Sequence, residues 1–235
     1  MQRLVPGDPV ATEVEFSTEL YAWPQSAMDK SQVWIRCNMV MSQDGAAVDK
    51  DGRSGTIATA IDKAVFGALR RDSDVILVGA GTVRIEGYRP TSVPIALVSR
   101  SLVLHQDLPL FAQATAQTPR TLVLTTERAM RAAPDWLSAK AELIACGADS
   151  VDLILARQAL ADRGLTRVHS EGGPALLTAM IAEQVLDELL LTVSPMIHGA
   201  TRGILDSLAS PVRGSFSQVL VEDGTLLLRF LPDYS

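Results

Sequence analysis

Residues 74–84 read Asp74-Val75-Ile76-Leu77-Val78-Gly79-Ala80-Gly81-Thr82-Val83-Arg84, a short apolar run that ends abruptly in glycine. Four apolar positions bounded by turn residues, with no polar alternation, predict a strand buried on both faces that enters a tight turn. Runs of the same kind lie at 95–98, 121–125, 142–146 and 167–170. Helical patterns stand between several of them. Thr59 caps an expected helix over 60–71 whose apolar stripe is Ile61, Ala64, Val65, Ala68 and Leu69. Ser150 is the expected cap of a helix ending near Gly164, and Pro174 opens another that ends near Asp187. Strands alternating with helices predict a mostly parallel sheet covered on both faces, a three-layer α/β/α arrangement.

The two ends of the pattern differ from its middle. From Val33 to Met41 every odd position is apolar, which predicts a strand, and Asp44-Gly45 breaks it. A long strand is expected over 189–196. Phe216 to Glu222 and Thr225 to Leu231 flank Asp223-Gly224, a hairpin signal, so an antiparallel ribbon should close a mixed sheet. Residues 1–31 carry Pro6, Pro9 and Pro24 without a strong period and read as an N-terminal extension; 32–235 reads as one domain.

The 235 residues are 47% apolar and 20% charged, ordinary globular values that argue against disorder or a coiled coil. A chain of this length buries roughly 70% of its unfolded surface and needs no disulfide or metal to hold a core. Lys and Arg total 21 against 27 Asp and Glu, a net charge of −6, which disfavours nucleic-acid binding. Cys37 and Cys146 stand far apart without a CxxC partner, so a reducing, cytoplasmic setting is expected. No apolar run approaches ~18 residues, and no secretory signal or membrane partner is expected.

Two strand ends carry glycine. The first is Gly79-Ala80-Gly81; the second is Ser170-Glu171-Gly172-Gly173-Pro174, which leads straight into a helix. Such a turn either closes on itself or lets a phosphate approach its backbone amides, and the start of the second helix adds a favourable dipole. The first is not a full dinucleotide fingerprint, because Arg84 takes the third glycine's place, and it is not a P-loop. Two glycine turns at the carboxyl edge of one α/β sheet nevertheless favour a ligand there. The three histidines form no metal-ligand pattern, so no metal is expected; His169 reads as a core residue with its hydrogen bonds satisfied, and His198 as a turn residue. Asn38, Ser42 and Asp44, Ser54 and Thr56, Arg70, Thr82 and Glu86, and Glu171 gather at strand ends without a nucleophile. That suits hydride chemistry carried by a cofactor.

The blocks Asn38-Met-Val-Met-Ser42-Gln-Asp44-Gly45, Ser54-Gly55, Leu69-Arg70, Asp74 to Val83, Ser170 to Pro174, Asp187-Glu188-Leu189 and Pro195 to Gly199 resemble, in order, the reductase domain of riboflavin biosynthesis. The resemblance implies a dihydrofolate-reductase-like fold, usually dimeric, and use of NADPH. The reaction implied is reduction of a ribosylamino group to a ribitylamino group on a diaminopyrimidinone or aminouracil 5′-phosphate. By position it makes Val40, Thr56, Gly79, Gly81, Thr82 and Glu86 cofactor contacts, with Gly172, Gly173, Pro174 and Ala175 at the pyrophosphate. Ser99 and Arg100 become candidates for a 2′-phosphate. Asn38, Ser54, Arg70 and Glu171 become substrate contacts, Glu171 with a catalytic part. Asp44 organises the neighbouring turn or acts directly.

The chain also departs from that family. After Arg84 it reads Ile85-Glu86-Gly87-Tyr88-Arg89-Pro90, where two aspartates and a proline are usual; Glu86 replaces one aspartate, and Arg89 is the candidate for the substrate phosphate. Thr56 stands where tryptophan is common. No deaminase-type zinc motif stands before Val33, so a monofunctional reductase is expected. On a helical wheel Arg70 falls opposite Ile61, which by itself predicts a solvated arginine. A dihydrofolate or pterin reductase, and a nucleotide-binding module without catalysis, are the competing readings.

Overall fold

The computed structural model describes residues 2–5, 10–11, 20–199 and 202–235, with side chains described from residue 20 onward. In chain order the elements are β1 (Gln2–Val5), β2 (Val10–Ala11), α1 (Gln25–Met28), β3 (Trp34–Ser42), α2 (Ala60–Arg71), β4 (Val75–Gly79), α3 (Ala80–Glu86), β5 (Ile95–Val98), α4 (Pro109–Ala112) and β6 (Thr121–Thr125). They continue with α5 (Glu127–Arg131), α6 (Asp135–Lys140), β7 (Ala141–Ala145), α7 (Leu153–Ala161), β8 (Arg167–Ser170), α8 (Pro174–Ala182), β9 (Glu188–Ser194), β10 (Arg213–Glu222) and β11 (Thr225–Asp233).

All the strands join one sheet in the order β2-β1-β10-β11-β9-β3-β8-β4-β5-β6-β7. From β9 to β7 every pairing is parallel. The β10–β11 hairpin turns at Asp223-Gly224, both with positive φ, and pairs antiparallel with β9. The mixed sheet closed by a C-terminal ribbon is thus the architecture that the apolar runs predict. Beyond the ribbon, β1 pairs antiparallel with β10.

Alternate residues of the strands divide the core into two layers. Val75, Leu77 and Val168 face α7 and α8 through Leu160, Leu177 and Met180. Ile76, Val78 and Leu97 face α3, α4 and α6 through Val83, Phe111 and Leu137. Helix α2 lays Val65 and Leu69 on Tyr21 and on Leu190, Leu220 and Leu227 of the ribbon side. Each fully buried aliphatic side chain contributes about 1.5–3 kcal/mol, so the apolar patterning suffices to fix the layers.

Three local expectations are corrected. Gly79-Ala80-Gly81 is not a tight turn: Gly79 is the N-cap of α3, and its neighbours form that helix's first turn. Helix α7 is capped by Asp152 rather than Ser150, with the carboxylate accepting from Ile154 N and Leu155 N at 2.8 and 3.0 Å. It ends at Ala161, and α8 ends at Ala182, five residues short of Asp187. The alternation in β3 is real, yet every residue from Ile35 to Val40 is buried, because β3 lies inside the sheet between β9 and β8.

Candidate active site

Because β8 and β4 are neighbours in the sheet, with Ser170 opposite Leu77, the two glycine-bearing strand ends meet. Gly79 N donates to Gly172 O at 2.9 Å, and Gly173 N donates to Thr82 Oγ1 at 2.9 Å. Gly172 has φ +68°, and a Cβ there would come within 2.6 Å of Met39 Sδ; one on Gly173 would come within 2.8 Å of Thr82 Oγ1. Gly172 therefore needs glycine, and a side chain at Gly173 would displace the Thr82 hydroxyl. The bend delivers the chain into α8, whose N-terminus has Gly173 as N-cap, Pro174 at its first position and no side-chain cap. The backbone amides of its first turn are left for a ligand.

This bend forms one wall of a cavity of about 580 Å³, within the range of small-molecule sites. Val40, Gly79, Gly81, Thr82, Glu86, Gly173, Pro174 and Ala175 among the expected cofactor residues line it, as do Asn38, Ser54, Arg70, Arg89 and Glu171. Glu86 is held at the rim, accepting from both Ser54 N and Ser54 Oγ at 3.0 Å. Arg89 is exposed there.

At the centre, Arg70 Nε and Nη2 donate to the two oxygens of Glu171 at 2.5 and 2.7 Å, a bidentate pair with the carboxylate side chain only 1% exposed. The Tyr88 hydroxyl also donates to Glu171 Oε2. Burial, and then the Glu171 charge, push the Tyr88 phenol well above its ordinary value, so it keeps its proton at neutral pH. Arg70 lies over the Phe66 ring at 4.5 Å. The solvated arginine of the helical wheel is therefore corrected. The Val65 and Leu69 side of α2 packs on the sheet, and the Arg70 side borders the cavity, where Glu171 takes up the guanidinium.

Asp44, Thr56, Ser99, Arg100 and Gly172 do not line the cavity. Asp44 accepts from Ser42 Oγ at 2.5 Å and from His198 N and Gly199 N at 3.0 and 2.7 Å, tying the turn after β3 to the loop after β9. The Ser42 bond leads the causes that hold its carboxyl well below the usual range. The Thr56 hydroxyl is spent on Asp49 at 3.2 Å. Ser99 is buried with its hydroxyl accepting from Leu102 N, and Arg100 is exposed beyond the end of β5. Asp62, Phe66 and Tyr88 line the cavity without having been singled out in the sequence. The spacing of 62, 66 and 70 by four was the available signal, since it places all three on one helical face.

His169 sits on β8 behind Glu171, fully buried, as a core residue should be. It is not satisfied: neither ring nitrogen has a hydrogen-bond partner among the described residues, and Nε2 is 3.6 Å from Glu171 Oε1. Burial, helped by the Arg36 and Arg70 charges, pushes its pKa down to about 3. The fold keeps the ring neutral while the unfolded chain protonates it below about 6.5. Stability is thus expected to fall as pH drops from about 6.5 toward 3, at up to about 1.4 kcal/mol per pH unit. Urea unfolding of wild type and His169→Leu between pH 7 and 4.5 checks this: the variant should show a shallower slope, and equal slopes would contradict it.

With this geometry in place, the comparisons give the family. A family model for the RibD C-terminal domain matches residues 33–223, and the chain belongs to that family. It is 26% identical over 184 residues to a 2,5-diamino-6-ribosylamino-4(3H)-pyrimidinone 5′-phosphate reductase of Archaeoglobus fulgidus, covering 71% of this chain and 82% of that one. It is 29% identical over 207 residues to the riboflavin biosynthesis protein RibD of Chlamydia pneumoniae, covering 80% of this chain and about half (54%) of that one. A solved pyrimidine reductase-like protein from Corynebacterium diphtheriae shares the fold, with a TM-score of 0.74 at 21% identity over 93% of this chain and 98% of that one. Among the described residues no helix is long and apolar enough to cross a membrane.

Proposed function

We propose that the chain is an NADPH-dependent reductase that converts the ribosylamino group of a pyrimidine 5′-phosphate into a ribitylamino group. The observation that carries this reading is the joining, in one cavity, of the Gly79 and Gly173-Pro174 wall with the Arg70–Glu171 pair. The family and the activity named for its relatives support it.

The first-turn amides of α8 at the cavity wall, held there by the glycine bend, fit a dinucleotide pyrophosphate. The nicotinamide, when bound, supplies the hydride. The protein's work is placement and exclusion of water. Glu171, fixed by Arg70 and Tyr88, is an acceptor for the sugar hydroxyls beside C1′. Opening the sugar breaks the C1′–O4′ bond and needs a proton on O4′, while Tyr88, which keeps its proton, holds Glu171 in place. Asp44 acts as a positioning residue, through the 198–199 loop. A homodimer belongs to the same reading, and sedimentation at assay concentrations checks it.

Purified protein should oxidise NADPH only when the diaminopyrimidinone or aminouracil ribosylamino phosphate is present, and not with dihydrofolate. Tight NADPH binding without turnover on either phosphate would overturn the reading. Gly172→Val should weaken NADPH binding by at least about tenfold. Valine is strained at a φ of +68° and would push Met39 and the bend out of place. Fluorescence titration of the folded variant reads the effect, and unchanged affinity would remove the bend from the cofactor site.

A further inference from the structure

Helix α2 presents Asp62, Phe66 and Arg70 to the cavity. Four residues apart, they form one row with steps of about 6 Å along the helix axis, so the row is about 12 Å long. That matches a pyrimidine carrying its sugar. Arg70 at one end is taken up by Glu171, and Phe66 offers an aromatic face in the middle.

Asp62 at the other end has no part in the chemistry above. It is 5% exposed, and its Oδ1 is buried with no hydrogen-bond partner among the described residues. The Thr192 hydroxyl bonds the carboxyl group, and Lys63 lies near enough to act on its charge. Burial outweighs both and raises its pKa above the ordinary value. A buried carboxyl oxygen without a partner is costly and calls for a donor. In a cavity wall that donor can come from a ligand. An ionised carboxylate only accepts, so the complementary ligand edge carries N–H groups and no carbonyl.

The two pyrimidines open to the reductase differ at one edge. The diaminopyrimidinone has a ring N–H beside an amino group, two adjacent donors that a carboxylate accepts together. The deaminated aminouracil has a carbonyl oxygen in place of the amino group, which would face the carboxylate with like partial charge. We infer that Asp62 reads the 2-amino edge of the pyrimidine and makes this chain select the undeaminated diaminopyrimidinone over the aminouracil. The inference rests on the reductase reading and names the substrate of that same site.

Steady-state NADPH oxidation with each phosphate tests it. Wild type should favour the diaminopyrimidinone by roughly a hundredfold in kcat/KM, because the other ring leaves a buried carboxylate unpaired. Asp62→Asn, which can donate to a carbonyl, should bring the two substrates within a few fold. A wild-type preference for the aminouracil, or a preference that Asp62→Asn leaves intact, would overturn the inference. The wild-type comparison stands even if the variant fails to fold. Calorimetry with 2,5,6-triaminopyrimidin-4-one against 5,6-diaminouracil reads the same edge without turnover. If neither phosphate were reduced, the reductase reading would fail while the fragments still decided the role of Asp62: tighter binding of the triamino ring supports it, and equal binding refutes it.

Discussion

Glu171→Gln is expected to lower kcat/KM by about a thousandfold, about 4 kcal/mol of transition-state stabilisation, while dinucleotide affinity stays within about threefold. The carboxylate receives two donors from Arg70 and one from Tyr88. A glutamine amide fills the same space but turns an N–H₂ toward one of these donors, so the group loses both its charge and its register. The Gly172–Gly173 bend is held by Gly79 and Thr82 and does not depend on the carboxylate. The loss should therefore fall on turnover and spare cofactor binding. Initial rates and an NADPH titration on the same preparation separate the two. Equal losses in both would make Glu171 a support for the bend, and a retained rate would remove it from the chemistry.

The second large effect is on stability. Arg36 is fully buried on β3, and its Nε donates to Glu188 Oε2 at 2.9 Å. Its Nη1 donates to Tyr21 O at 2.8 Å, and its guanidinium lies 4.2 Å from the Trp23 ring centroid. Glu188 also pairs with Arg229 on β11 and accepts from Trp34 Nε1 at 3.0 Å. This network ties the segment before α1 to the middle of the sheet. Arg36→Met should cost about 3–5 kcal/mol, because it leaves the buried Glu188 carboxylate and the carbonyls of Tyr21 and Ala22 each short of a donor. The double variant Arg36→Met with Glu188→Leu should recover little of that, since Arg229 then loses its carboxylate and Trp34 Nε1 its acceptor. Urea unfolding of the three proteins checks the pattern; a single variant as stable as wild type would show that the network contributes nothing net.

What the sequence made legible was local. The apolar runs at 75–79 and 95–98 and the Asp223-Gly224 turn carry their own signals, and strands and hairpin stand where those signals lie. Gly79-Ala80-Gly81 misled because two glycines with Thr82 and Val83 have poor helix propensity; α3 forms against the sheet through Ala80 and Val83 rather than by preference. Arg36 and Asn38 occupy the polar phase of β3, which suggests a wet face, and only the sheet order shows that both faces are covered. At the site, the resemblance placed Arg70 and Glu171 on substrate, and the structure brings them into contact. Asp62 and Tyr88 were not visible, because a carboxylate in a first helical turn and a tyrosine in a loop have ordinary explanations until the opposite wall is known. Ser99 and Arg100 follow a strand one place farther along the sheet, and adjacency in the strand pattern was no measure of reach into the cavity.

The most direct measurement is the fate of the transferred hydrogen. Reduction of the ribosylamino phosphate with NADPH deuterated at both C4 positions should place one deuterium on C1′ of the ribityl product, seen by mass and by NMR. A product without deuterium at C1′, or label at any other carbon, would contradict the account.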